Sequence, residues 1–211
     1  MMITTNEIKE KYLGLSSDLD FKTLGPNDCI KIYQDLQKRY APDAIDLVYR
    51  LLNTGFFTAP ASSSYHGAFD CGLFAHSIMV LGWLAYYTDS LKLSWSRPCN
   101  MFMSAMYHDL CKVDLYDFDY DKNKFIKKSD LFGGHGLKSI VYLQNLIREY
   151  RVLCKDSMLE PDEEVLMCIR WHMGAYDEES NWGNLSEAIK KYPNILYMHL
   201  ADMSASKFSN I

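Results

Sequence analysis

From residue 27 onward, apolar residues recur at steps of three and four, the spacing of one buried face of an α-helix. In "NDCIKIYQDLQKRY", residues 27–40, Ile30, Tyr33 and Leu36 keep that step behind a start signal at Asn27 or Asp28. "PDAIDLVYRLLNTG" opens with Pro42 near its first turn and stops before Gly55, which predicts a helix between them. A loop rich in small residues follows, "FFTAPASSSYHGAFDCG" (residues 56–72), and then a long apolar helix through "LFAHSIMVLGWLAYYTDSL". Another helix begins after Pro98 and runs into "NMFMSAMYHDL"; "GLKSIVYLQNLIREYRVL", "PDEEVLMCIRWHM" and "PNILYMHLADMSAS" complete the set. One stretch departs from the pattern. "LYDFDYDKNKFIKKSD" alternates Tyr116, Phe118 and Tyr120 with Leu115, Asp117 and Asp119, and Asp121–Asn123 are turn-like, which predicts a small hairpin or an ordered loop near residues 115–126. The expected fold is therefore all-α with one small β excursion.

With 211 residues, 48% of them hydrophobic, and no Pro/Gly/Ser-rich linker, the chain suits a single domain with a sizeable core. A net charge of −5 gives no basic footprint for duplex nucleic acid, although a local patch would serve a small or short phosphorylated ligand. The six cysteines, Cys29, Cys71, Cys99, Cys111, Cys154 and Cys168, form no CxxC pair and lie mostly in apolar segments, as in a reduced cytosolic protein. "MMITTNEIKEKY" has no signal-peptide character. The longest apolar run, "IMVLGWLAYY", is about ten residues against the roughly 20 needed to span a bilayer. A soluble, cytoplasmic protein is expected.

All six histidines, His66, His76, His108, His135, His172 and His199, lie in apolar helices, at their edges, or on a Gly-rich approach to one. A single histidine in such a place is more often a hydrogen-bonded core residue than a ligand. Several together, with Asp109 and Asp202 also carried by apolar helices, favour a metal, because neutral imidazoles and carboxylates are ligands that divalent first-row ions accept. His108 and Asp109 differ by about 100° around the helix axis, so both reach one inward region. Lys112 stands four residues after one and three after the other, on the same face, where a solvated lysine is an equal reading. His199 and Asp202 likewise share a face.

The ordered series "YHGAFDCGLFAHSI", "SAMYHDLCKVD", "LFGGHGLKSI", "IRWHMGAYD" and "MHLADMSAS" resembles the HD-domain phosphohydrolase superfamily. It is most similar to the branch with extra metal-site histidines, which includes HD-domain 3′–5′ exoribonucleases and bacterial and phage proteins of unassigned activity. The resemblance covers residues 56–207. It implies a helical HD bundle in one domain, 1–211, with residues 1–55 as a helical extension packed on the 56–207 core. Carried over residue by residue, it implies that His76, His108, Asp109 and Asp202 are the core metal ligands, that His135 and His172 hold a second ion, and that Asp109 bridges the two. Lys112 would be catalytic with Asp109 and would touch substrate, while His66 and Lys138 are further substrate contacts. Lys122, Lys124, Lys127 and Lys128 read by default as a solvated face. Their place between the second and third ligand motifs suits phosphate steering, with Lys128 counted among the substrate-binding residues. Trp171, Tyr176 and Trp182 read as packing residues or as stacking surfaces for a base. Departures from the family pattern are Cys71 and Ala75 before His76, Cys111 after the His-Asp pair, and Met173.

The resemblance implies one or two divalent ions (Mn, Mg, Fe, Ni, Co or Zn) and hydrolysis of a nucleotide or short single-stranded oligonucleotide. The alternative it leaves is an HD-fold mixed-valent di-iron oxygenase acting on a small molecule.

Overall fold

A computed structural model describes residues 3–129, 134–153 and 161–209, with residues 151–153 described by backbone alone. The helices are α1 (Thr5–Glu7), α2 (Pro26–Tyr40), α3 (Val48–Leu51), α4 (Gly72–Leu91), α5 (Asn100–Tyr107), α6 (His135–Leu153), α7 (Glu163–Trp171), α8 (Trp182–Lys191) and α9 (Asn194–Phe208). The two strands, β1 (Tyr116–Asp119) and β2 (Lys124–Lys127), pair antiparallel with Tyr116 opposite Lys127 and Phe118 opposite Phe125. The described residues are thus mostly α with one small hairpin. The alternation at 116–120 resolves as strand rather than loop because Asp119 Oδ1 accepts from the Asp121 and Lys122 amides, closing the turn.

α4 is the hub. Every residue from Gly72 to Ala85 is buried, as expected of a helix that is apolar all round. It packs against α5, α9 and a π-helical turn at Ile8–Leu13. Gly82 makes that last approach possible, since a Cβ there would lie 2.6 Å from the Ile8 side chain. The N-terminal residues therefore share the core: Ile8, Leu13, Tyr33 and Leu36 are buried with α4 and α5, and the Tyr33 and Tyr107 hydroxyls meet at 2.6 Å.

A single carboxylate ties three helix starts together. Glu164, buried near the start of α7, accepts from the Ser96 amide and Asn100 Nδ2 with Oε2, and from Asn194 Nδ2 with Oε1, each at 2.8 Å. Asn100 opens α5 and Asn194 opens α9. A buried carboxylate is tolerable here because its lone pairs are occupied.

Two expectations change. The helix expected from Pro42 is only α3. Gln37 Nε2 donates to the carbonyls of Ala44 and Ile45, and Asp46 Oδ1 accepts the Val48 amide, so side chains take the groups a longer helix would need. α2 starts at Pro26 behind Gly25, and Asp28 does not cap as an N-cap but reaches back to the Gly25 amide at 3.0 Å. α8 was not anticipated by the apolar periodicity, and none of its residues is buried. Cys29, Cys71, Cys99, Cys111 and Cys168 are free and buried, whereas Cys154 lies outside the described residues. Among the described residues no helix is long and apolar enough to cross a membrane.

Candidate metal centre

His108 and His172 are presented by one local device. Each is the residue that ends its helix, α5 or α7, and each turns its ring back onto the carbonyl three residues earlier. His108 Nδ1 donates to Ala105 O at 2.8 Å and His172 Nδ1 donates to Ile169 O at 2.7 Å. These bonds satisfy orphan carbonyls at the helix ends and fix the tautomer, leaving each Nε2 with its lone pair free. His76 enters from the first turns of α4, and Asp202 from the middle of α9.

The four elements bring donor atoms together. His76 Nε2 lies 3.2 Å from His108 Nε2 and 3.1 Å from Asp202 Oδ1. Asp109 Oδ2 is 3.3 Å from His108 Nε2 and 3.6 Å from His76 Nε2, while its Oδ1 is 3.5 Å from His172 Nε2. His76, His108, Asp109 and His172 are all buried. Among the described residues, His172 Nε2 and His76 Nδ1 find no hydrogen-bond partner. An imidazole lone pair fixed toward a carboxylate, with nothing to accept, is a group that a cation would satisfy. Two donors about 2.0–2.1 Å from one divalent ion sit roughly 3–3.4 Å apart, the spacing found here from His76 to His108 and to Asp202, while His108 Nε2 and Asp202 Oδ1 stand 3.9 Å apart. The residues fit a divalent ion.

The electrostatics agree. Burial opposes the Asp109 charge, but Lys112 and His108 outweigh it and hold the carboxyl well below its usual range. Asp202 is likewise depressed, against its burial, by its hydrogen bond and charge interaction with His76. Lys112 Nζ stands 2.7 Å from Asp109 Oδ2, and that carboxylate overcomes burial to raise the lysine's pKa. His76 is lowered by burial. His172 is raised despite burial, because it faces Asp109.

His135 opens α6, half-buried, with Nδ1 3.4 Å from Cys111 Sγ. With Asp109 these form a second group whose donor atoms all lie within 4.8 Å of one another, beside the group of His76, His108 and Asp202. Asp109 therefore borders both. Leu131–Gly133 of the motif before His135 lie outside the described residues.

The centre opens into a cleft of about 340 Å³ lined by His66, Asp109, Lys112, Lys127, His135, Tyr176, Asp202 and Lys207, among others. His66 sits in the loop before α4, its ring 5.1 Å from that of His76 and its Nε2 3.3 Å from Ser206 Oγ. Burial, then His76 and Lys112, push its pKa down to about 4, so it is neutral. Two of the expected substrate contacts are not in the cleft. Lys138 pairs with Asp114 at 3.1 Å, and Lys128 pairs with Asp117 at 3.2 Å. Lys127, one strand position away, lines the cleft instead. Of the three aromatics, Tyr176 lines the cleft, Trp171 is buried under the Arg170 guanidinium at 4.0 Å, and Trp182 donates to Asp177 O.

Ser206 and Lys207 are cleft residues that the sequence reading left out. Ser206 is one helical turn beyond Asp202, a spacing that would have found it. His199, three residues before Asp202, lines the cleft and donates from Nδ1 to His172 O at 2.7 Å. Gly174 makes room for it: its φ is +54°, and a Cβ there would come within 2.7 Å of the His199 ring. Comparison with protein-family models, curated proteins and solved structures gives no match to this chain, so the site is read from its own geometry.

Proposed function

We propose that this protein is a metal-dependent phosphohydrolase of the HD type, acting on a nucleotide or a short single-stranded oligonucleotide. The supporting observation is the convergence of His76, His108, Asp109 and Asp202, the two carboxylates lining a cleft that Lys112, Lys127 and Lys207 also line. A divalent ion bound there supplies Lewis acidity toward a phosphoryl oxygen and an acidified water as nucleophile. The chain's own residues do the rest. Ala105 O and Ile169 O hold the imidazoles of His108 and His172 in the tautomer that presents Nε2. Asp109 and Asp202, ionised through the neutral range, offer carboxylate oxygens and balance the charge of the ion. Lys112 stays protonated and places positive charge beside the reacting centre, where charge develops on phosphoryl oxygens. His66, neutral and close to His76, offers a ring nitrogen to a proton or a substrate oxygen. Lys127 and Lys207 draw an anion into the cleft.

The test is a screen of purified protein, with each of several divalent metals, against nucleotides, dNTPs, cyclic nucleotides and short oligonucleotides, beside Asp109→Ala. Phosphate-ester cleavage that requires metal and disappears in a folded Asp109→Ala supports the reading. Wild-type turnover and metal content in that variant would overturn it, as would iron-dependent oxygen uptake with no ester cleavage, the outcome an oxygenase would give.

A further inference from the structure

The residues carrying the metal reading are imidazoles and carboxylates, yet one atom at the centre is sulfur. Cys111 lies two residues beyond Asp109 in the 3-10 turn Leu110–Asp114, fully buried. A buried cysteine is ordinarily a small apolar filler. Cys111 instead points its Sγ at the Nδ1 of a half-buried histidine, with the Asp109 carboxylate in the same cluster. The 3.4 Å between Cys111 Sγ and His135 Nδ1 is a hydrogen bond between the two side chains and also a separation that two ligands of one ion would keep. A sulfur about 2.3 Å and a nitrogen about 2.0 Å from one tetrahedral ion stand roughly 3.5 Å apart. The position is held from behind, because the Cys111 amide donates to Ser139 Oγ at 3.1 Å, fixing the turn to α6. A second, independent sign is the neighbouring His172. Its side chain is 1% exposed, its Nε2 has no hydrogen-bond partner among the described residues, and Asp109 Oδ1 lies 3.5 Å away.

We propose that Cys111 is a metal ligand, which with His135 and Asp109 builds a sulfur-containing cation position next to the one formed by His76, His108 and Asp202. The proposal rests on the metal-centre reading above and adds to it a donor that fixes the class of ion. Thiolate sulfur selects borderline ions such as Zn, Co or Fe over the hard ions Mg and Ca, which prefer oxygen. On binding, the Cys111 S–H bond is exchanged for a bond from sulfur to the ion. The proton leaves to solvent, and no electrons are transferred.

The experiment is an anaerobic titration of chelator-stripped protein with Co²⁺. Absorption is followed in the visible, where any bound Co²⁺ shows its ligand-field bands, and in the near ultraviolet, where a thiolate ligand adds a charge-transfer band. The wild type is expected to bind two equivalents, one of which brings the charge-transfer band. Cys111→Ser should lose that band but keep ligand-field absorption from the His76, His108 and Asp202 position. His135→Ala should bind one equivalent, without the band. Cys99→Ser, a buried cysteine at the start of α5 outside both groups, should keep the band. Circular dichroism checks that each variant is folded. Co²⁺ binding by the wild type with no charge-transfer band, or a band that survives in folded Cys111→Ser, overturns the sulfur ligand and leaves the metal centre standing. No Co²⁺ binding by the wild type overturns both.

Discussion

Lys112→Met should destabilise the metal-free protein far more than the metal-loaded one. Lys112 Nζ is 2.7 Å from Asp109 Oδ2, with side chains 14% and 4% exposed, so solvent does little to support the carboxylate. Methionine keeps the stem and its packing but removes the charge. A buried carboxylate deprived of its partner costs on the order of 3 kcal/mol. For a chain of 211 residues this lowers Tm by about 6–12 °C. A divalent ion beside Asp109 restores positive charge where the lysine had supplied it, so the variant should recover most of that loss on loading. The assay is thermal unfolding of both proteins with chelator and with saturating Zn²⁺ or Co²⁺. The expected result is a large Tm gap with chelator that shrinks on adding metal, and a greater metal-induced rise in the variant. An equal gap in both conditions would show that Lys112 and the ion do not act on the same carboxylate. No gap in either would return Lys112 to a solvated role.

Gly174→Ala should cost about 1–3 kcal/mol in urea denaturation, because an alanine at φ +54° drives its Cβ into the His199 ring; wild-type stability would refute that close packing. His66→Gln should change the acid limb of the metal-free protein. The pKa of His66 falls from 6.5 in the unfolded chain to about 4 when folded, so the unfolded chain binds the proton first and stability is lost as pH drops through that window. The Tm of wild type relative to His66→Gln should therefore fall between pH 6.5 and 4, and a constant difference across it would be the contrary result. Lys127→Met should raise KM for an anionic substrate several-fold, whereas Lys138→Met should leave KM unchanged because Lys138 faces Asp114, and steady-state kinetics of the two variants would expose a reversed pattern.

The helices were legible where periodicity was strong, as in α2 and α7, or where a long apolar run followed turn signals, as in α4. The Pro42 segment misled because its outcome depends on Gln37, a side chain from another helix whose bonds no local pattern reports. At the site, His108, Asp109 and Lys112 share one inward region as their spacing suggested, whereas the meeting of His76, His172 and Asp202 with them was an expectation of the resemblance, since spacing within one helix says nothing of its neighbours. The lysines were harder to read. Whether Lys127 or Lys128 faces the cleft depends on where β2 ends and on its register, and Lys127 is its last residue, opposite Tyr116, with Lys128 just beyond. Lys138 sits one turn from His135 in sequence, but Asp114 and the Tyr142 ring hold it elsewhere. Cys111 was visible as a departure from pattern, but its role depends on His135 across the turn, a contact that sequence spacing does not encode.

The Glu164 anchor has a consequence for how the chain tolerates insertions and deletions. Asn100, Glu164 and Asn194 meet in one hydrogen-bonded cluster, and eight positions further along their respective helices stand His108, His172 and Asp202. Eight residues of α-helix advance each donor roughly 12 Å from the shared origin and turn it through the same angle. The three helices thus act as rulers of one length, read from a common zero. Inserting or deleting one residue between anchor and donor in α5, α7 or α9 would swing that donor by about 100° and slide it about 1.5 Å, out of reach of the other two. Changes of length should instead be absorbed in the connections outside these rulers, such as the turn of the β1–β2 hairpin, where no donor is measured from the anchor.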